Sequence, residues 1–327
     1  MQHSKNVTCF VLCTLVISFL LSGCAAPTPA PQANNTPVTL KIAIIPVLES
    51  LPLYIAQSEG LFAKQGVSVE FIPAGSAPVR DQLIISGEAD GMVNEVLTTM
   101  LINRDQVQLQ IVRYARAATS EAPLFRILAS NKSGITSPEG LKGVEIGISH
   151  GTVIEYLTDR LLQAEGLTPE EIKTVAVPGI SDRMSLLESG ELSAAMLPDP
   201  LASLAVLQGA NVALDDSRHP EYSFSTITFR KAVTDEHPQA VRAFLAAMEE
   251  AVQLINADAG AWDALLSEQN LVPPPLMGTF QLPRFATAGV PTQAQWDDVL
   301  AWAKEKGLLA VDLAYTETVT DEFLPQE

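Results

Sequence analysis

The stretch that decides the fold runs from Ile42 to Ala77: IAIIPVLESLPLYIAQSEGLFAKQGVSVEFIPAGSA. It begins inside a short β-rich run, Leu40 to Ile45, which stops at Pro46 because proline cannot donate to a strand ladder. Apolar residues then recur at helical spacing from Leu53 to Lys64, and Gly66 closes that segment. Ser68 to Ile72 alternates polar and apolar residues, the mark of a second strand. Strand, helix and strand in such close succession form a βαβ unit, which calls for parallel strands with helices on their faces.

The alternation continues outward. Ala77 to Ser86 predicts a helix, and Gly91 to Val93, Gln108 to Val112 and Leu124 to Leu128 predict strands. A second set follows: strand Val144–Ile148, helix Thr152–Glu165 closed by Gly166, strand Thr174–Val177, helix Ser181–Ser189 and strand Ala194–Leu197. Thr168-Pro169-Glu170-Glu171 has the pattern of a capping box with proline at the first helical position. Leu201–Leu207 reads as a helix and Asn211–Leu214 as a strand, and Phe224–Phe229 leads back toward the first set. The tail is helical. Val241, Phe244, Leu245, Met248, Val252 and Ile255 share one helix face, and Thr292 to Gln295 opens another helix with a T-x-x-Q box. Trp262, Trp296 and Trp302, all in this tail, either stack on a ligand or, as their helical spacing favours, fill a core.

These segments, in this order, resemble the bacterial periplasmic solute-binding proteins of the nitrate, sulfonate and thiamine-precursor group of ABC importers (the SsuA/THI5-like group). The likeness is carried by the quoted stretch, by ISGEADGMV, and later by SPEGLKGVEIGISHGT and LLESGELSAAMLPDP. The resemblance implies an α/β fold of the periplasmic binding protein type II class. Two lobes, each with a mixed, mostly parallel sheet flanked by helices, are joined by two crossover hinge strands near 125–129 and 223–229. Lobe one is expected over 39–126 plus 228–327, and lobe two over 127–227.

The start of the chain supports an extracytoplasmic setting. An apolar run from Phe10 to Leu21 follows Lys5 and is too short to span a bilayer, which takes ~20 residues. With its small-residue end it fits a signal peptide over 1–23. Leu21-Ser22-Gly23-Cys24 resembles the bacterial lipoprotein signal, which implies lipidation of Cys24. The Pro- and Ala-rich segment 24–38 reads as a tether. The chain's cysteines are Cys9, Cys13 and Cys24, so the body from Leu40 onward holds no thiol for a disulfide, a metal or nucleophilic catalysis. Aspartate and glutamate number 38 against 20 lysines and arginines, a net charge of −18. Spread acidity of that kind excludes nucleic acid as a partner, since phosphate binding takes clustered cations.

In open parallel sheets, ligands sit beyond the carboxyl ends of the strands. Here those ends are the loops at 46–52, 73–77, 94–95, 149–152 and 198–200. Glu49 and Ser50 lie in the first loop, where the resembled family commonly touches its ligand. Tyr54 either stacks on a flat ring or packs beneath that loop. Gly75 and Gly151 let backbone approach a ligand closely, and Ser76 stands beside the first of them. Asn94 and Glu95 contact the ligand or cap the following helix. Ser149-His150-Gly151-Thr152 offers hydroxyls and free N–H groups to a solute, or serves only as a helix start. Asp199 accepts a hydrogen bond from the solute or caps the next helix. Arg113, Arg116 and Arg126 read as surface ion pairs, although an arginine reaching the cleft would suit an anion.

The expected function is capture of a small polar organic solute by closure of the two lobes and its delivery to ABC permease and ATPase subunits. No cofactor or metal is expected, and the protein is expected to act as a lipid-anchored monomer. Carboxylates at Glu49, Glu95 and Asp199 suit a ligand with N–H donors, which favours a nitrogen heterocycle such as a thiamine-precursor pyrimidine or a riboflavin-like vitamin. The alternative is an aliphatic sulfonate, taurine or nitrate-type anion. A secreted enzyme on the same scaffold is a further alternative, since the fold includes an enzyme that makes a thiamine pyrimidine through His and Cys residues. The absence of cysteine from the body counts against it. His150, His219 and His237 are scattered without metal-ligand spacing, and no G-x-S-x-G or phosphate-cradling loop occurs.

Overall fold

The computed structural model describes residues 37–326. The expected signal peptide and Cys24 lie outside the described residues, as does nearly all of the tether. β1 (Thr39–Ile44), β2 (Ser68–Pro73), β3 (Gly91–Asn94) and β4 (Leu109–Ala117) come from the first set of repeating units. β5 (Phe125–Ala129), β6 (Glu145–Ile148), β7 (Lys173–Ala176), β8 (Ala194–Pro198) and β9 (Asn211–Asp215) come from the second, and β10 (Phe224–Arg230) follows them. They form two five-stranded sheets, ordered β2-β1-β3-β10-β4 and β7-β6-β8-β5-β9.

The two sheets share one plan. In the first, β1 pairs in parallel with β2 and β3, while β10 runs antiparallel between β3 and β4. In the second, β6 pairs in parallel with β7 and β8, while β5 runs antiparallel between β8 and β9. The fourth place in each sheet is thus taken by the strand that has just crossed from the other half. Both strands expected as crossovers belong wholly to one sheet. The crossings themselves are the short segments 118–124 and 216–223, which lie between strands.

The helices between strands are α1 (Leu51–Ser58), α2 (Leu61–Lys64), α3 (Ala77–Ser86), α4 (Val96–Asn103), α5 (Val153–Ala164), α6 (Ile180–Ser189) and α7 (Leu201–Leu207). α3 and α6 are counterparts. Each ends in Ser-Gly-Glu, and Gly87 and Gly190 take φ of 80° and 78°, a left-handed turn that glycine adopts without strain. Their N–H groups close the helices onto the carbonyls of Ile84 and Leu187. Each helix also carries a buried arginine on its first turn. Arg80 donates to the Val93 carbonyl at 3.0 Å and Arg183 to the Val177 carbonyl at 2.8 Å, fastening helix to strand end.

The tail adds α8 (Lys231–Glu236), α9 (Pro238–Ala257), α10 (Asp263–Glu268) and α11 (Gln293–Glu305). α9 buries the whole predicted stripe from Val241 to Ile255 against sheet one. Phe62 stacks on Phe244 at 5.2 Å, and Phe229 meets Phe244 edge-on at 5.3 Å. Burial of each such side chain stabilises the fold by roughly 1.5–3 kcal/mol. α11 starts with the expected capping box, Thr292 and Gln295 bonding reciprocally. Trp296 and Trp302 are completely enclosed, as the packing reading expects, while Trp262 is half-buried against the first core.

Two features depart from expectation. Thr168 to Glu171 forms a turn and not a helix, although the Glu171 carboxylate does accept the Thr168 N–H at 3.1 Å. β7 begins at Lys173 and leaves no room for helical turns. The tail also does not stay wholly with lobe one. α11 packs between α4 and α5 in a single core that joins Val96, Leu97 and Met100 to Ile146, Leu157 and Leu161. Polar contacts fix it to α5: Tyr156 donates to Asp298 at 2.8 Å, Arg160 pairs with Asp298 at 2.9 Å, and Trp302 Nε1 donates to Asp159 at 2.8 Å.

Candidate functional site

Parallel pairing sets the carboxyl ends of β1 and β3 on one edge of sheet one, and those of β6 and β8 on one edge of sheet two. The antiparallel strands place the end of β4 and the start of β5 on those same edges. The two crossing segments join these edges, so the strand ends of both halves meet in one interlobe region.

A small cavity lies there. Glu95, Val96 and Leu97 line it from lobe one, and Val153 and Tyr156 line it from lobe two. Tyr222 enters from the second crossing, Phe224 from the start of β10 and Val299 from α11. The sequence reading named only Glu95 of this set. Tyr156 lies one helical turn beyond Thr152, and Tyr222 adjoins the expected crossover, so both carried a positional signal. Val299 comes from a tail whose packing partner no local pattern discloses. Burial raises the Tyr156 hydroxyl far above its ordinary pKa, and Asp298 adds to the effect. Tyr156 is therefore a neutral donor.

Several expected contacts are engaged within the protein. Ser50 is fully buried and its hydroxyl donates to the Ile45 carbonyl at 3.0 Å, which shapes the loop after β1. Tyr54 packs edge-on to Phe71 with ring centres 5.5 Å apart. Asn94 is buried: its Oδ1 accepts from Thr226 at 3.0 Å and Thr228 at 2.6 Å, and its Nδ2 donates to Thr99 at 2.8 Å. Asn94 thereby ties β3 to β10 and α4. Gly75 and Ser76 are exposed at the start of α3, with open space around Gly75.

At the start of α5, Gly151 takes φ of 69°, and Thr152 accepts from the Ile154 N–H at 3.2 Å while donating to the Ser149 carbonyl at 2.8 Å. The Gly151 N–H donates to the Glu155 carboxylate at 2.7 Å, and His150 Nδ1 lies 3.3 Å from that carboxylate. Lys306 completes the group, 3.1 Å from Glu155 and 2.8 Å from Asp159. Burial works to raise the Glu155 carboxyl, but the Gly151 N–H and Lys306 hold it below its ordinary value. An internal carboxylate thus already occupies the electropositive end of α5.

The charged residues form the other part of the region. Glu95 lies 3.8 Å from Arg80 and accepts from Thr98. Asp199 binds Arg126 at 3.0 Å and caps α7 by accepting from the Ser203 N–H at 3.0 Å and hydroxyl at 2.7 Å. Glu49 lies 3.9 Å from Arg116. The reading of Arg113 and Arg116 as surface residues is corrected: both are buried, because β4 runs on to Ala117 and is covered on both faces. Arg113 pairs with Glu249 of α9 at 2.6 Å. Burial pushes the Arg116 guanidinium below its ordinary value, opposed by Glu49, Asp199 and Asp216. Asp216, in the second crossing, accepts the N–H groups of Leu124 and Phe125, each at 2.9 Å, and the Ser223 hydroxyl. Burial raises its carboxyl to about 6 despite those bonds.

Each carboxylate that favoured an N–H-donating ligand therefore faces an arginine. The expectation of a nitrogen heterocycle loses the argument on which it stood. Among the described residues no group of three or more His, Cys, Asp or Glu is disposed to hold a metal, and no helix is long and apolar enough to cross a membrane.

Comparison with known proteins agrees with this architecture. A family model described as NMT1/THI5 like matches residues 48–259. A putative aliphatic sulfonates-binding protein of Bacillus subtilis is 25% identical over 249 residues, which cover 73% of this chain and 71% of that protein. The nitrate/nitrite binding protein NrtA of a Nostoc species is 28% identical over 266 residues, or 71% of this chain and 59% of the longer relative. A 4-amino-5-hydroxymethyl-2-methylpyrimidine phosphate synthase of Uromyces fabae is 28% identical, over only 38% of this chain and 36% of its own. The crystal structure of the periplasmic aliphatic sulphonate binding protein SsuA from Escherichia coli superposes with a TM-score of 0.73 at 20% identity, covering 85% of this chain and 96% of that one. At that identity the likeness is one of fold, and it is the two-lobed binding-protein fold expected from the sequence.

Proposed function

The chain belongs to the NMT1/THI5-like family, and we propose on that premise that it is the extracytoplasmic solute-binding subunit of an ABC importer. Its lobes close on a small oxyanionic solute of the sulfonate or nitrate type and present the closed form to the permease. The observation that carries the reading is the meeting of equivalent strand ends from two like sheets, whose strands are joined across the lobes by two short crossings. Such an arrangement lets a ligand bridge two bodies and bind their closed form better than their open one.

Three things support an anion over a heterocycle. The carboxylates near the interlobe region are matched by arginines. The two relatives aligned over more than two thirds of this chain are named for anions. The relative named for pyrimidine chemistry aligns over a small part only. An enzyme on this scaffold has less support, since fold alone does not decide function and the body lacks the cysteine that such chemistry uses in the resembled enzyme. Anchoring through Cys24 completes the proposal, and Cys24→Ser is expected to release the protein from membranes. Retention on membranes would remove the anchor.

The test is a thermal-shift screen of the purified full chain against alkanesulfonates, nitrate, carboxylates, pyrimidines, vitamins and amino acids. A ligand at a hundredfold excess over its dissociation constant adds about 2.7 kcal/mol of stability. No stabilisation by any member, or conversion of one of them to product, would overturn the reading.

A further inference from the structure

We propose that Arg116 is the anion-binding residue of the interlobe region, its guanidinium receiving the oxyanion end of the solute. The inference rests on the solute-binding reading above and deepens it by assigning the contact.

Arg116 sits near the end of β4, beside both crossings, and is paired with Ser225 of β10. It is 1% exposed, and its Nη1 is enclosed without a hydrogen-bond partner. Other enclosed arginines also have one unpartnered nitrogen, but each keeps a strong bond elsewhere on the guanidinium. Arg80 bonds the Val93 carbonyl, Arg113 bonds Glu249, and Arg183 bonds the Val177 carbonyl. No side-chain hydrogen bond is formed by Arg116 among the described residues.

The carboxylates around it do not remedy this. Asp199 is engaged by Arg126 and Ser203, and Asp216 by two backbone N–H groups and Ser223. Glu49 alone faces Arg116 directly, at 3.9 Å, which is beyond hydrogen-bond reach. A guanidinium does not discharge near neutral pH, so burial leaves a permanent cation with unmet donors. Three carboxylates nearby offset the charge, but buried donors left without an acceptor remain costly. They persist here near the end of β4, beside the crossings that join the lobes. The planar fork of donors matches two oxygens of a sulfonate, nitrate or carboxylate. Glu49 stands as the internal competitor that such an anion must displace.

The experiment is calorimetric titration of the purified full chain with methanesulfonate, nitrate and acetate, with uncharged 4-amino-2-methylpyrimidine as the contrasting probe. Wild-type protein is expected to bind at least one of the anions. Arg116→Gln is expected to weaken that binding roughly tenfold or more, the scale of a lost charge-assisted pair, and Arg116→Lys to weaken it less. Glu49→Gln removes the competitor and is expected to tighten binding severalfold, an outcome that misfolding cannot imitate. Equal anion affinity in wild type and a folded Arg116→Gln would overturn the assignment, and so would weaker anion binding by Glu49→Gln. Binding of the pyrimidine alone would overturn the anion assignment and leave solute binding standing. Failure of the whole thermal-shift panel would instead remove the underlying reading.

Discussion

Asn94 separates a binding role from a structural one. At the end of β3 it was a natural candidate to touch a ligand, yet it is 2% exposed and makes three side-chain hydrogen bonds, to Thr226, Thr228 and Thr99. Asn94→Ala removes all three. A typical intramolecular bond contributes about 1 kcal/mol net, and a buried partner left unmet costs about 1–3 kcal/mol. All three partners have fallbacks. Thr226 and Thr228 are already 3.3 Å apart and can bond each other, and Thr99 lies 3.4 Å from the Glu95 carbonyl. The loss is therefore expected near the lower end, about 2–4 kcal/mol. Urea unfolding followed by circular dichroism would read it as a lower midpoint at unchanged slope. Asn94→Asp, which keeps two acceptors for Thr226 and Thr228, is expected to lose less. A midpoint unchanged in Asn94→Ala, or lost solute binding at full stability, would refute the structural assignment.

Other outcomes follow from the same bonding. Arg113→Met leaves the partly buried Glu249 without its cation and is expected to cost about 3 kcal/mol, while the double change Arg113→Met with Glu249→Leu recovers most of that in urea unfolding. Trp302→Phe keeps the ring packing but removes the donor to buried Asp159, at an expected cost of about 1.5–3 kcal/mol by the same measurement. Asp216 is raised from 3.8 to about 6 in the folded protein, so the native state holds its proton more tightly than the unfolded chain. Its contribution is fully present below pH 3.8 and is lost as pH rises through 6, about 3 kcal/mol in all. The stability difference between wild type and Asp216→Asn, measured from pH 4 to 7, is expected to shift by most of that amount, about 2.4 kcal/mol, in favour of the variant; a difference that does not vary with pH would contradict it.

Much of the fold was legible because its signals are local. The βαβ stretch at the start, the Ser-Gly-Glu turns after α3 and α6 and the capping box of α11 each depend on residues a few positions apart. What escaped depends on distant partners. Arg113 looked like the end of a strand after Val112, since a cation inside a sheet has no local explanation; its partner Glu249 lies 136 residues away. Asn94 and Ser50 illustrate a second limit: a polar side chain at a strand end, or in the loop beyond one, has the same pattern whether it bonds inward or toward a ligand. Trp296 and Trp302 were visible as core-filling residues of α11, but their spacing does not say which lobe the helix covers. Thr168 to Glu171 carried the chemistry of a helix start in a place where the next strand begins too soon.

The position of α11 also bears on how the polypeptide matures. Ile146, Leu157 and Leu161 share one core with Trp296, Val299 and Trp302, which come much later in the chain. During synthesis this second core is completed only when α11 emerges, after both sheets have their strands. A product cut short before Gln293 is expected to leave part of that apolar core uncovered and to be cut by proteases sooner than the longer chain.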